Sequence, residues 1–245
     1  MIKSIRIPVL EVFGPTVQGE GMVIGRKTMF VRTAGCDYSC NWCDSAFTWD
    51  GTGKDQIRML TAEEVKAELL SEAGEAVFSH VTLSGGNPAL LPQLGQLVDL
   101  LREGGTTVAL ETQGSRWQDW FLNIDELTLS PKPPSSGMDT NWDVLDAIIE
   151  KLRKARRHAF SLKVVVFDND DLRYASKVHH RYPDVPFFLQ SGNDDVNERD
   201  ADLLLRRLIF RYEWLVGTVT SSAEWSDVRV LPQLHAWLWG NKRGV

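Results

Sequence analysis

Along the chain, short apolar runs alternate with stretches in which apolar residues recur every three or four positions. Residues Arg6 to Phe13 alternate loosely and predict a strand, and the run Gly14-Pro15-Thr16-Val17-Gln18-Gly19-Glu20-Gly21 predicts a turn-rich loop after it. Thr28 to Ala34 predicts a buried strand with one anomaly, the charged Arg32. Thr61-Ala62-Glu63-Glu64 is a capping box that predicts a helix with Val65, Leu69 and Leu70 on its inner face. Strands and helices then take turns. His80–Leu83, Thr107–Leu110, Leu127–Leu129, Phe160–Phe167 and Phe187–Gln190 predict strands. The stripes Leu94/Leu97/Val98/Leu101, Trp142/Leu145/Ile148/Ile149/Leu152 and Leu204/Leu205/Leu208/Ile209, with a segment around Asp170–Arg181, predict helices, the last stripe marking a final long one.

A strand-then-helix rhythm requires crossover connections and therefore parallel strands. The expectation is an α/β fold, an incomplete (partial) TIM-type barrel of about six parallel strands, in one domain spanning 1–245. Polar and glycine-rich groups sit where the strands end: Ser84-Gly85-Gly86-Asn87, Glu111-Thr112-Gln113-Gly114, Ser130-Pro131-Lys132 and Gln190. Those carboxyl ends are where such folds place their ligands.

The chain's three cysteines all fall within eight positions, as Cys36-x3-Cys40-x2-Cys43. An odd number of thiols cannot close into intrachain disulfides, whereas one loop can wrap three thiolates round a metal centre. A structural zinc ion asks for a fourth ligand, and none of the five histidines lies in the loop. A cubane iron-sulfur cluster takes one cysteine per iron and would leave one iron open. Arg32, in a strand that runs into this loop, is expected to meet an anion. The formal charge of −6 supplies no field that would gather nucleic acid. The start Met1–Ile7 is too short an apolar stretch for a signal peptide, and no segment approaches the length of a membrane span. A cytoplasmic location, with reduced thiols, is expected.

The spacing with Trp42 before the last cysteine resembles the C-x3-C-x-Φ-C motif of the radical S-adenosylmethionine (SAM) superfamily. A wider set resembles its 7-carboxy-7-deazaguanine synthase family: Thr16-Val17-Gln18-Gly19-Glu20-Gly21, Arg32-Thr33-Ala34-Gly35-Cys36, Trp42-Cys43-Asp44-Ser45, Ser84-Gly85-Gly86, Glu111-Thr112, Ser130-Pro131-Lys132 and Trp239 to Val245. The resemblance covers nearly the whole chain. It implies a radical SAM core in which Cys36, Cys40 and Cys43 hold a [4Fe-4S] cluster. SAM would lie against Trp42, Cys43, Asp44, Gly86, Glu111, Gln113, Ser130, Pro131, Lys132 and Gln190. It further implies that Val17, Gln18, Gly19, Glu20, Arg32, Ser84 and Val245 bind a pterin, that Ser45 ligates Mg2+, and that the N-terminal loop and C-terminal tail complete the site. The implied reaction turns 6-carboxy-5,6,7,8-tetrahydropterin into 7-carboxy-7-deazaguanine with loss of ammonia, in queuosine biosynthesis. The implied partners are an electron donor such as flavodoxin or ferredoxin and a second copy in a homodimer, with no nucleic acid and no membrane.

The superfamily's usual Gly-Gly-Glu-Pro is Gly85-Gly86-Asn87-Pro88 here, a neutral amide in place of a carboxylate. Two other readings share the cysteine loop. One is a radical enzyme that activates a partner protein; the Gln18-Gly19-Glu20 loop and Arg32 speak against it. The other is a zinc or iron-sulfur binding or electron-transfer module, for which the polar strand ends are superfluous. The basic, tryptophan-bearing tail (Trp237, Trp239, Lys242, Arg243) is expected to pack and to close the pocket rather than to stack on nucleic acid bases.

Overall fold

The computed structural model describes residues 5–156 and 159–245, so the first four residues of the apolar start lie outside it. The strands are β1 (Ile7–Val17), β2 (Lys27–Thr33), β3 (Arg58–Leu60), β4 (His80–Gly85), β5 (Thr107–Thr112), β6 (Glu126–Leu129), β7 (Phe160–Val166), β8 (Phe187–Ser191) and β9 (Arg229–Leu231). They form one sheet in the order β3-β1-β2-β4-β5-β6-β7-β8-β9. Neighbours from β2 to β9 pair in parallel, while β1 runs antiparallel to both β2 and β3. The six predicted parallel strands are β2 and β4 to β8. The short β9 adds a seventh to the partial barrel.

Helices α1 (Ala62–Ala73), α2 (Leu94–Glu103), α3 (Trp142–Lys154), α4 (Asn169–Arg181), α5 (Ala201–Thr220) and α6 (Leu234–Trp239) follow the predicted stripes with three corrections. Leu70 is exposed, because the buried line of α1 runs Ala62, Val65, Leu69, Ala73, and Leu70 lies a 100° step round from Leu69. Ile209 is exposed too, while Leu204 and Leu208 face inward. Helix α5 is also not the last, since β9 and α6 follow it. A fourth correction concerns the predicted loop at Gly14: β1 continues through Gly14-Pro15 to Val17. Register shifts between Val9 and Glu11 and between Phe13 and Thr16 let the strand absorb residues that would otherwise end it. No helix among the described residues is long and apolar enough to cross a membrane.

The strands have two unlike faces. Met29, Val31, Val81, Leu83, Val108, Leu110, Leu127, Leu129, Leu162 and Val164 alternate along them and pack with helix residues such as Leu97, Leu101, Leu145 and Ile149 into the main core. The intervening positions turn inward and include many polar side chains, among them Thr28, Thr82, Thr128, Ser161, Lys163 and Gln190, all buried. Thr28 and Thr82 share a hydrogen bond at 3.0 Å, and buried His80 reaches Thr28 with Nδ1 (2.7 Å) and Glu126 with Nε2 (2.9 Å). Apolar burial outside holds the fold; the inner face is left for polar contacts.

Candidate active site

The inner face opens at the carboxyl ends of the parallel strands into a cleft that is partly open to solvent. All three cysteines line it, and all are free thiols. Their loop follows β2 and is fixed from several directions. Backbone N–H groups of Gly86 and Asn87 donate to the carbonyls of Thr33 (3.2 Å) and Gly35 (2.8 Å). That approach is possible only at a glycine: a Cβ on Gly86 would lie 2.2 Å from the Gly35 carbonyl oxygen. From the other side the segment 132–140 after β6 grips the loop. Tyr38 Oη donates to the Asp139 carbonyl (2.9 Å), the Asn41 N–H to that of Ser136 (3.0 Å), and Trp42 Nε1 to Ser135 Oγ (3.0 Å).

Asn87 does not reach the cleft. It is fully buried, its Nδ2 donates to Asp37 and Ser115 (both 2.9 Å), and its Oδ1 accepts from Thr112 Oγ1 (2.7 Å) and the Ala89 N–H (3.2 Å). Gln113 Nε2 donates to the same Asp37 oxygen at 2.6 Å. Two neutral amides therefore hold one carboxylate of the cysteine loop. This explains the missing acid at position 87, since a glutamate there would face Asp37 with like charge.

The donor set suits an iron-sulfur cluster better than one ion. A tetrahedral zinc with Zn–S near 2.3 Å draws its sulfurs to about 3.8 Å. Among the described residues the one trio of ligating atoms within 4.8 Å is Glu20, Asp44 and His235, with no cysteine in it. The sulfurs also meet N–H donors, as cluster thiolates do: the Tyr38 N–H (3.4 Å) and Gln113 Nε2 (3.6 Å) approach Cys36, and Trp49 Nε1 (3.5 Å) approaches Cys43. Burial pushes the Cys40 thiol up to about 11, with Lys132 acting against it, and raises Cys36 as well. Deprotonation of these thiols therefore goes with metal binding.

A line of charged groups crosses the cleft. Lys163 Nζ lies 2.5 Å from Glu20 Oε2 and 2.5 Å from Glu111 Oε1. Glu20 Oε1 accepts from Gln233 Nε2 (2.9 Å) and faces His235 Nδ1 at 3.8 Å, while His235 Nε2 faces Asp44 at 3.8 Å. Burial acts against the charge on Glu20, yet Lys163 and His235 outweigh it and hold this carboxyl far below its usual range. Burial likewise opposes charge on Lys163 and His235, and the facing carboxylates raise both. Glu20, Asp44 and His235 could share a cation, although the ammonium already on Glu20 opposes a dication there.

Of the residues expected at the site, Val17, Gln18, Gly19, Glu20, Arg32, Cys36, Cys40, Trp42, Cys43, Asp44, Ser45, Ser84, Gly86, Glu111, Gln113, Lys132 and Val245 line this one cleft. Ser130, Pro131 and Gln190 do not line it. Ser130 accepts from Lys132 Nζ at 3.2 Å, and both polar atoms of the fully buried Gln190 side chain lack a partner among the described residues. Arg32 meets its anion within the chain: Nε pairs with Glu11 at 2.8 Å, and the guanidinium lies over the rings of Phe13 (5.4 Å) and Phe47 (5.6 Å). Ser45 is buried and donates to Asp44 at 3.1 Å. Sequence reasoning gave no role to Lys163, Gln233, His235, Tyr38, Trp49 or Asn193, which also line the cleft. A charge inside an apolar strand run could have flagged Lys163, whereas nothing local marks the others.

The model of the Radical SAM superfamily matches residues 30–185. Two 7-carboxy-7-deazaguanine synthases are similar over 240 residues: that of Bacillus subtilis is 63% identical, covering 98% of each chain, and that of Bacillus cereus is 61% identical, covering 98% of this chain and 99% of its own. The chain belongs to the 7-carboxy-7-deazaguanine synthase family. It is thus a radical SAM enzyme, with SAM and a [4Fe-4S] cluster as its cofactors. Among solved structures, QueE from Escherichia coli shares the fold of this family member with a TM-score of 0.68 at 23% identity, over 94% of this chain and 95% of that one. Streptococcus suis SuiB shares it more distantly, with a TM-score of 0.58 at 13% identity over 85% of this chain and 49% of the other.

Proposed function

We propose that the chain converts 6-carboxy-5,6,7,8-tetrahydropterin to 7-carboxy-7-deazaguanine with release of ammonia, a step of queuosine and 7-deazapurine biosynthesis. The observation that carries this reading is the convergence of the three-thiol loop, the Gln18-Gly19-Glu20 loop and Arg32 on one cleft. An electron-transfer module needs no such cleft, and an enzyme that activates a partner protein needs no pterin-sized set of polar groups. The reading includes one domain, Mg2+ as a further cofactor, flavodoxin or ferredoxin as electron donor, a homodimer and a cytoplasmic location.

Cys36, Cys40 and Cys43 would hold the cluster, which with bound SAM supplies the one-electron chemistry that starts the reaction. Trp42, Asp44, Gly86, Glu111, Gln113, Ser130, Pro131, Lys132 and Gln190 would surround SAM. Gln190 fits because its buried amide has no partner among the described residues; Gly86 fits by lining the cleft, while the space of its missing side chain is taken up by the Gly35 carbonyl. Val17, Gln18, Gly19, Glu20, Ser84 and Val245 would hold the pterin ring. Arg32 would take its carboxylate in exchange for part of its contact with Glu11, a bidentate match that a guanidinium suits. Ser45, a hydroxyl oxygen beside the Asp44 carboxylate, supplies the hard donors that Mg2+ takes.

The test incubates anaerobically reconstituted, reduced protein with SAM, Mg2+ and 6-carboxytetrahydropterin and looks for 7-carboxy-7-deazaguanine by mass. Its appearance, dependent on all three thiols, is the expected result. Cleavage of SAM without that product would defeat the substrate assignment while leaving the superfamily intact.

A further inference from the structure

Every residue of β7 is buried, and in the middle of the strand the Lys163 side chain is 1% exposed. An ammonium there is strongly disfavoured unless it is paired. Its two partners come from separate parts of the chain: Glu20 from the loop after β1 and Glu111 from the end of β5, which is separated from β7 in the sheet by β6. Both carboxylates also face the cleft, with side chains 16% and 25% exposed, so each keeps lone pairs for a ligand. Stability alone does not call for this arrangement, because a buried ion pair is commonly matched or exceeded by a well-packed apolar residue.

We propose that Lys163 is a positioning residue that ties Glu20, on the substrate side, to Glu111, on the cofactor side, so that filling one half of the cleft sets the affinity of the other. The proposal rests on the functional reading above for which ligand each carboxylate meets. The two Lys163 contacts are both at 2.5 Å, so a ligand that draws on one carboxylate changes the hold of the ammonium on the other. Coupling of this kind is reciprocal. Glu20 carries it on to α6 through Gln233 and His235, and Glu111 needs no contact with the pterin to affect it.

The experiment measures equilibrium binding of SAM and of 6-carboxytetrahydropterin, separately, to cluster-loaded protein with the cluster oxidised and no reductant present. Turnover then plays no part, and iron and sulfide content report whether each variant keeps its cluster. Glu111→Gln is expected to weaken the pterin, and Glu20→Gln to weaken SAM, each by about tenfold, the range of ordinary site-to-site coupling. In a Lys163→Met background neither change is expected to have a further cross-effect. A purely structural lysine predicts instead that each glutamine change weakens only its own ligand. Cross-affinities that stay within about twofold of wild type in the two single variants overturn the bridge even where Lys163→Met fails to keep its cluster. A wild type that binds SAM but no pterin removes the functional reading together with the bridge, whereas a wild type that binds both, with single variants free of cross-effects, removes the bridge alone.

Discussion

At single residues, the structure turns oddities of the sequence into charge arguments. Asn87 spends all four of its hydrogen-bonding positions on Asp37, Ser115, Thr112 and the Ala89 N–H. Asn87→Asp is expected to lower unfolding free energy by about 2 kcal/mol, because two donors vanish and a second carboxylate faces Asp37. Adding Asp37→Asn is expected to restore part of the loss; urea denaturation and iron per chain measure both, and equal stability of single and double variants would sink the account. Glu126 is the second case. The hydrogen bond from buried His80 holds its carboxyl below the usual value against the opposing effect of burial. A depressed folded pKa contributes stability above the ordinary carboxylate value and loses it as pH falls through the depressed one. Glu126→Gln is therefore expected to cost about 1 kcal/mol at neutral pH and progressively less in acid. A difference between wild type and variant that stays constant from neutral to acid pH would contradict this.

Among the elements, what could be read in the sequence depended on length and periodicity. The runs that became β4, β5, β7 and β8 are apolar and well bounded, and the α2 stripe is buried throughout, as is the α3 stripe but for the half-buried Trp142. Strands β3 and β9 have three residues each, too few for a pattern to show. Gly14-Pro15 carries a turn signal that predicts an end to β1, while in the fold the pairing with β2 resumes beyond it at Thr16 and Val17. The tight passage between the cysteine loop and the end of β4 is likewise invisible in one dimension. It yields a contrast: Gly86→Ala drives a Cβ into the Gly35 carbonyl, whereas Gly35→Ala meets nothing within 4 Å and costs only the strain of its φ of 95°. The first is expected to lose more than about 3 kcal/mol and the second about 1–2 kcal/mol. Denaturant midpoints would decide, and equal losses would count against the close approach.

For the molecule as a whole, the candidate site was legible to the extent that it lies at the carboxyl ends of parallel strands. There the fold itself gathers Ser84, Gly86, Glu111, Gln113 and Lys132. It was not legible where distant segments close the cleft: Gln233 and His235 come from the start of α6, and their meeting with Glu20 depends on the fold as a whole. The tail belongs here too. Trp237 packs against Leu204 and Leu208, and Asn241 bonds Asn193 and the carbonyls of Asp195 and Glu198. Arg243 donates to Glu11 at 2.7 Å and lies over Phe47, so a single acid holds both this tail and Arg32. Arg243→Ala is expected to loosen Val245 at the cleft and raise the KM for the pterin about fivefold, leaving iron content unchanged. Unaltered steady-state kinetics would remove the tail from the site.

The grip of segment 132–140 and of Gly86 on the cysteine loop uses carbonyls, amides and a tyrosine hydroxyl, with few of the bonds made to sulfur. The cysteine loop is therefore braced by polypeptide contacts in addition to whatever the three thiolates hold. Bracing of this kind predicts that iron-free protein takes up its cluster again without refolding, which limited proteolysis of the cysteine loop before and after reconstitution checks: a loop cut readily only without iron would contradict it.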